Sequence, residues 1–68
     1  MNLTPKHLGM KIRKIREAQR VSQGAVAKKA RISREYLNRL ERGRYDPTVG
    51  VLRRLARALG VPVRALLE

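Results

Sequence analysis

The apolar residues of this chain recur at spacings of three and four positions, and apolar and polar residues nowhere alternate over the length of a strand. A repeat of this kind places apolar side chains on one face of an α-helix. The clearest example is the segment 49–59, whose predicted inner face comprises Val49, Leu52, Leu55, Ala56 and Leu59. The pattern therefore predicts an all-α fold.

Hydroxyl residues mark where the predicted helices begin. The side-chain oxygen of Ser or Thr just before a helix can accept a hydrogen bond from a backbone N–H that the first turn leaves free. The predicted N-caps are Thr4, Ser22, Ser33 and Thr48, and Pro5 suits the first helical position. Three caps are flanked by apolar pairs at the spacing of a hydrophobic staple, namely Leu3 with Leu8, Val21 with Val26, and Ile32 with Leu37.

Glycine and proline residues indicate where the helices end. Gly43 and Gly60 can adopt the left-handed conformation that closes a helix, and Pro47 disfavours helix at the preceding residue, so 44–47 is a predicted loop. The first two helices are expected to end near Gln19 and at Ala30, and a short fifth helix to begin near Pro62. The expected architecture is five helices in one small domain over residues 1–68.

The charge balance indicates a polyanionic partner. The 68 residues include 17 Lys and Arg but only 5 Asp and Glu, for a net charge of +12, which favours DNA, RNA or an anionic membrane surface. Aromatic residues make up only 3% of the chain, too few for a stacking platform that binds single strands. The first ten residues lack the layout of a signal peptide, and no apolar run reaches the roughly 18 residues of a membrane span. A cytoplasmic protein is therefore expected.

The residue types needed for catalysis or metal binding are sparse. The chain has no cysteine, which excludes disulfide and zinc-finger frameworks, and its only histidine, His7, has no partnered ligands. The acids are scattered rather than paired, at Glu17, Glu35, Glu41, Asp46 and Glu68. We therefore expect no enzymatic activity, no metal and no cofactor.

The segment 22–41 has the layout of a helix-turn-helix motif, with two short capped helices joined by a turn of about three residues. Ala27 is small where the two helices must cross closely, and apolar neighbours fix their angle, namely Val26, Ala30, Ile32, Leu37 and Leu40. Since Ser33 begins the second helix, the N-terminal end of that helix can point outward. Its exposed positions carry side chains that can reach base edges in a major groove, namely Arg34, Glu35, Asn38 and Arg39.

The chain resembles the Cro/repressor-type, or lambda-repressor-like, helix-turn-helix DNA-binding family. The matching positions are Ile12, Ile15, Arg16, Ser22, Gln23, Ala27, Ile32, Ser33, Leu37, Leu40, Glu41, Gly43, Pro47 and the run 55–61. This resemblance covers nearly the whole chain. It implies a compact five-helix fold, in which helices two and three form the motif, and a role in transcriptional regulation.

The resemblance also implies roles for individual residues. Positions that face bases are Ser33, Arg34, Glu35 and Asn38, to which the exposed face adds Arg39. Positions beside the phosphate backbone are Gln23, Tyr36, Arg42 and Arg44, and Arg16 and Glu41 match a frequent ion pair between helices one and three. Glu35 has alternatives, since it could accept from a cytosine amino group, repel phosphates, or pair with Arg31 or Arg39.

Two departures from the family pattern lie in the motif. Arg31 stands where the family usually has glycine, and a left-handed backbone there costs about 1 kcal/mol more for Arg than for Gly. Gly24 and Ala25 stand where acidic residues are common.

The leading functional hypothesis is a sequence-specific transcriptional regulator, a repressor that binds a palindromic operator of double-stranded DNA as a homodimer. An alternative is an antitoxin or coactivator-like adaptor whose DNA-binding domain also docks a protein partner. Four apolar residues near the C-terminus could form that dock, a dimer seam or the rim of the core, namely Val61, Val63, Leu66 and Leu67. A cationic helix protein of the membrane surface is a third hypothesis, against which the caps and staples argue.

Overall fold

The computed structural model describes residues 4–68, and these residues form five α-helices without a strand. The helices are α1 (Pro5–Ala18), α2 (Gln23–Ala30), α3 (Arg34–Glu41), α4 (Val49–Leu59) and α5 (Val63–Leu67). The all-α prediction is therefore confirmed, and each predicted helix is present with ends within about two residues of those expected. Leu3 lies outside the described residues, so its predicted staple with Leu8 does too.

All four predicted N-caps form. The side-chain oxygen of each cap accepts from the backbone N–H three residues later, at 3.1 Å for Thr4, 3.0 Å for Ser22, 2.9 Å for Ser33 and 3.2 Å for Thr48. Such a cap typically contributes about 1 kcal/mol. The caps therefore fix where α1 to α4 begin, including the outward-pointing start of α3.

The first four helices end in the same kind of left-handed turn. Its central residue has φ of 58° at Arg20, 60° at Arg31, 76° at Gly43 and 68° at Gly60. In each turn the next residue donates its backbone N–H to a carbonyl five positions back, as Ile32 does to Ala27 at 3.0 Å. Glycine signalled two of these turns in the sequence, whereas the two arginines adopt the same conformation at a cost of about 1 kcal/mol each.

The core lies where α1, α2 and α4 enclose the inner faces of α3 and α5. In this arrangement α2 packs against α3 and α4, while α1 packs against α3 and α5. The bulkiest fully buried side chains are Ile12, Leu37, Leu40, Leu55 and Leu66. The apolar faces of all five helices therefore contribute to one continuous core.

The prediction for the inner face of α4 is wrong at its first position. Val49 is 62% exposed, and the buried face begins at Leu52. The physical reason is position, because Val49 opens α4 at the edge of the core, between the exposed Thr48 and Gly50. The helical repeat shows which residues share a face, but it does not show how far the neighbouring helices cover that face.

A glycine in α1 permits the close crossing of α1 and α3. A Cβ added to Gly9 would lie 2.9 Å from the carbonyl oxygen of Glu41 and closer still to that of Leu40. Both obstacles are backbone atoms, which cannot turn aside as a flexible side chain would. Gly9 therefore sets how near α1 comes to the end of α3.

The apolar residues near the C-terminus belong to the core and its rim. Leu66 is fully buried, and Val61, Val63 and Leu67 are partly buried against the core. The rim-of-core interpretation is thus the one that the packing supports. Across the described part of the chain, no helix combines the length and apolarity needed to cross a membrane.

Candidate nucleic-acid interface

The N-terminal ends of α2 and α3 open onto one shared surface. A shallow concavity of about 350 Å³ lies between them, lined by Gln23, Arg34, Glu35 and Asn38. Free backbone N–H groups at helix N-termini carry partial positive charge and favour anions. Four of the residues singled out in the sequence therefore share one surface.

A buried ion pair lies behind this surface. Glu41 is only 5% exposed, and its two carboxylate oxygens accept from Arg16 Nε at 2.7 Å and Arg16 Nη2 at 3.0 Å. The guanidinium also donates from Nη1 to the carbonyl of Val21 at 2.9 Å. The hydrogen bond to Glu41 raises the pKa of Arg16 above its ordinary value. This pair joins α1 to the last turn of α3.

Glu41 also orients Gln23, the first residue of α2. Gln23 Nε2 donates to Glu41 Oε1 at 3.0 Å, and Gln23 Oε1 accepts from Asn38 Nδ2 at 3.3 Å. The second N–H of the Gln23 amide remains available to a ligand. A network of side-chain hydrogen bonds therefore links α1, α2 and α3, and it runs from Arg16 through Glu41 and Gln23 to Asn38.

Asn38 is less exposed than predicted, since the sequence placed it among the exposed positions of α3. It is half-buried, and its amide nitrogen donates to Gln23. Its carbonyl oxygen and second N–H are free for other partners, since an amide side chain has two donors and one acceptor oxygen. Asn38 thus takes part in orienting Gln23 as well as lining the concavity.

The first turn of α3 presents its charged side chains to solvent. Arg34 and Glu35 are exposed, and neither side chain forms a hydrogen bond or ion pair within residues 4–68. Of the alternatives open for Glu35, local pairing with Arg31 or Arg39 is not observed among these residues. Ser33 is also exposed, but its Oγ accepts from the Tyr36 N–H, which leaves the hydroxyl hydrogen to donate.

Arg39 lies next to an aromatic pair at the far end of α3. Arg39 Nη1 donates to the hydroxyl of Tyr45 at 3.2 Å. The ring of Tyr45 stacks on that of Tyr36, with centroids 5.1 Å apart and planes at 23°. Tyr45 was not among the predicted site residues, although it lies in the predicted loop directly after Gly43 ends α3.

Further arginine side chains lie around the concavity between α2 and α3. Arg42 and Arg44 are exposed, and Arg42 and Arg13 line a smaller concavity of about 150 Å³ beside Gln23. Arg13, which was expected to face solvent on the first helix, forms an ion pair with Glu17 at 3.1 Å on the exposed side of α1. A third concavity on the other side of Gln23 includes Ser22 and Gly24. Gln23 is common to all three depressions.

Comparisons with known proteins identify the family of the chain. A family model described as helix-turn-helix matches residues 12–66. The immunity repressor protein of Bacillus phage phi105 is 41% identical over 59 residues, which cover 87% of this chain but only 41% of that protein. The chain thus spans less than half the length of this relative.

Solved structures give the same result at higher coverage. The clp gene regulator ClgR from C. glutamicum superimposes with a TM-score of 0.91 at 33% identity, over 98% of this chain and 87% of that chain. The restriction-modification controller protein C.AhdI from Aeromonas hydrophila gives a TM-score of 0.89 at 29% identity, over 91% and 94%. The predicted family and five-helix fold are therefore confirmed, and the chain belongs to the helix-turn-helix family.

Proposed function

We propose that this chain binds double-stranded DNA in a sequence-specific manner and regulates transcription, acting as a repressor. The observation that carries the proposal is the exposed first turn of α3, where Arg34 and Glu35 share one concavity with Gln23 at the start of α2. A helix presented in this way fits the major groove of B-DNA, which is wide enough to admit it.

The residues proposed to read bases lie on α3 and at its N-cap, Ser33. Arg34 can donate two parallel N–H groups to a guanine edge, and Glu35 can accept from a cytosine amino group. Ser33 and Asn38 each retain a free donor after their contacts within the protein. Arg39 extends the same surface by one turn. Together these five residues are proposed to select a short base sequence.

Residues around α3 are proposed to hold the phosphate backbone. Gln23 carries one free amide N–H at a helix N-terminus, a place where a phosphate is favoured. The exposed guanidinium groups of Arg42 and Arg44 add positive charge, and the hydroxyl of Tyr36 can donate to a phosphate oxygen. The Arg16–Glu41 pair has a supporting role, because it fixes the amide of Gln23 from behind.

A homodimer bound to a palindromic operator is the proposed assembly. One recognition helix contacts few base pairs, and a single small module buries little area on DNA, so two copies on two half-sites are the usual arrangement. The repressor role is suggested by the immunity repressor of phage phi105, whose sequence is 41% identical over the shared region. Such a role puts the chain in the cytoplasm, on the nucleoid.

Selection from a pool of random duplexes tests the proposal. The pool is passed repeatedly over the immobilised protein, and the bound duplexes are sequenced. The expected result is a consensus with two inverted half-sites, together with a dimeric mass for the complex in sedimentation. Enrichment without any consensus, or a preference for single-stranded competitors, would contradict sequence-specific duplex binding. A consensus of one half-site bound by a monomer would leave DNA binding intact and overturn only the dimer.

A further inference from the structure

Tyr45 contacts α3 through both its ring and its hydroxyl, and the residue before it is bonded to α3 through its backbone. The backbone N–H of the preceding residue, Arg44, donates to the carbonyl of Arg39 at 3.0 Å and folds the loop back onto the helix. The Tyr45 ring stacks on Tyr36 at 5.1 Å, and its hydroxyl accepts from Arg39 at 3.2 Å. The Tyr45 side chain, still 36% exposed, is thus held at its ring and its hydroxyl, while the backbone bond of Arg44 directs the loop toward α3.

This arrangement determines where the Arg39 guanidinium lies. Arg39 follows Glu35 by four positions on α3, a spacing at which opposite charges commonly pair on a helix surface. Within residues 4–68 that pair does not form, and the guanidinium contacts Tyr45 instead. Within the described residues, the partner of the Arg39 guanidinium is therefore the Tyr45 hydroxyl and not the Glu35 carboxylate.

We propose that Tyr45 is a positioning residue that holds Arg39 in place to read a base. The inference rests on the proposed function, since it assigns a role within the DNA-binding surface. A guanidinium has five N–H donors in a rigid plane, so the bond to Tyr45 leaves four for DNA. Fixing the side chain before binding removes much of the freedom that a long, exposed arginine would otherwise lose on the DNA.

The stack with Tyr36 is what makes the hydroxyl a fixed point. A free tyrosine on a loop would move with the arginine and restrain it little. Here the ring is held by Tyr36, whose own position is set by α3. The selectivity of Arg39 is therefore expected to depend on one oxygen atom in the loop after the recognition helix.

The test compares two tyrosines that each lose only a hydroxyl. First, R39A is titrated against the selected duplex and its single-base variants, which identifies the base pair whose preference depends on Arg39. Y45F is then measured on the same duplexes, with Y36F as the matched control, because Y36F removes the same atom from the other ring of the stack. Melting curves of all variants establish that each is folded.

Y45F is expected to lower the preference at the Arg39-dependent base pair by about fivefold, the equivalent of one ordinary hydrogen bond, and to leave the preference at other pairs unchanged. Y36F is expected to leave the preference at every pair unchanged, whatever it does to overall affinity. In the R39A background, Y45F is expected to have no further effect on base preference.

Three results would overturn the inference. They are an unchanged preference in Y45F, a loss spread evenly over all base pairs, and an R39A variant that weakens all sequences alike. Each of these leaves the proposed function standing if the parent chain still discriminates among duplexes. A parent chain without any base preference refutes the proposed function itself, and the role of Tyr45 with it.

Discussion

Replacing Glu41 by alanine removes the acceptor at the centre of the side-chain network. The carboxylate accepts two hydrogen bonds from Arg16 and one from Gln23, and it is almost fully buried. The Arg16 side chain is itself only 12% exposed, so the variant leaves a largely buried guanidinium without its counter-ion. The bond from Arg16 to the carbonyl of Val21 can persist.

The expected destabilisation is about 3 kcal/mol. Removing one partner of a buried ion pair typically costs about 3–5 kcal/mol, and leaving a buried donor unsatisfied about 1–3 kcal/mol. The lower part of the first range applies because Arg16 retains one carbonyl acceptor and some access to water. In a domain of this size, about 3 kcal/mol corresponds to a fall of roughly 12–24 °C in melting temperature. That loss is a large fraction of the total stability of a small domain.

Thermal and urea unfolding, followed by circular dichroism, measure this loss. E17A is the matched control, because it breaks the exposed Arg13–Glu17 pair, whose side chains are 61% and 53% exposed. Such a surface pair is expected to contribute at most about 0.5 kcal/mol. The double variant R16M/E41L, with both charges removed, is expected to recover part of the loss. If E41A melts within a few degrees of E17A, the reasoning about the buried pair is refuted.

Three further predictions concern backbone and capping, all measured by urea unfolding. R20G and R31G are each expected to stabilise the domain by up to about 1 kcal/mol, because both arginines have the left-handed backbone conformation that glycine adopts without strain. A loss of stability in either variant would show that the arginine side chain makes a stabilising contact of its own. G9A is expected to destabilise the domain by about 3 kcal/mol or more through collision with the backbone of α3. G50A, whose added Cβ would meet only the Thr48 hydroxyl oxygen at an ordinary contact distance of 3.8 Å, is expected to be neutral or stabilising by up to about 1 kcal/mol; equal effects would contradict the close crossing. Q19A is expected to lower the free energy of unfolding by about 1 kcal/mol, because the Gln19 amide donates to the last carbonyl of α4 at 2.6 Å. An unchanged free energy of unfolding would indicate that water replaces this bond.

Local signals account for most of what the sequence predicted about the fold. The caps at Ser22 and Ser33 and the left-handed turns at Gly43 and Gly60 each depend on a few neighbouring residues, so they could be recognised without knowledge of the packing. Arg31 illustrates the limit, because the left-handed turn there was suggested only by the family resemblance and not by its residue type.

Features that depend on contacts between distant residues could not be predicted in the same way. Gly9 is required by the backbone of α3, more than thirty positions along the chain, and nothing near Gly9 reveals that approach. The exposure of Val49 depends on where the core ends. Within the candidate site, the residue types were foreseeable, but the bond from Asn38 to Gln23 and the contact between Tyr45 and Arg39 depend on rotamers chosen by the assembled fold.

The most direct test of the account compares R34A with R44A on the selected duplex. Both variants remove one exposed arginine, but Arg34 is proposed to read a base and Arg44 to hold a phosphate. Each is titrated against the selected sequence and its single-base variants at several salt concentrations. R34A is expected to cost about 1–3 kcal/mol on the best site and to relax the preference at one base pair per half-site. R44A is expected to weaken all duplexes alike and to lower the salt slope by about one. If R34A instead weakens every sequence equally and lowers the salt slope by about one, then Arg34 contacts a phosphate, and base reading by the first turn of α3 is contradicted.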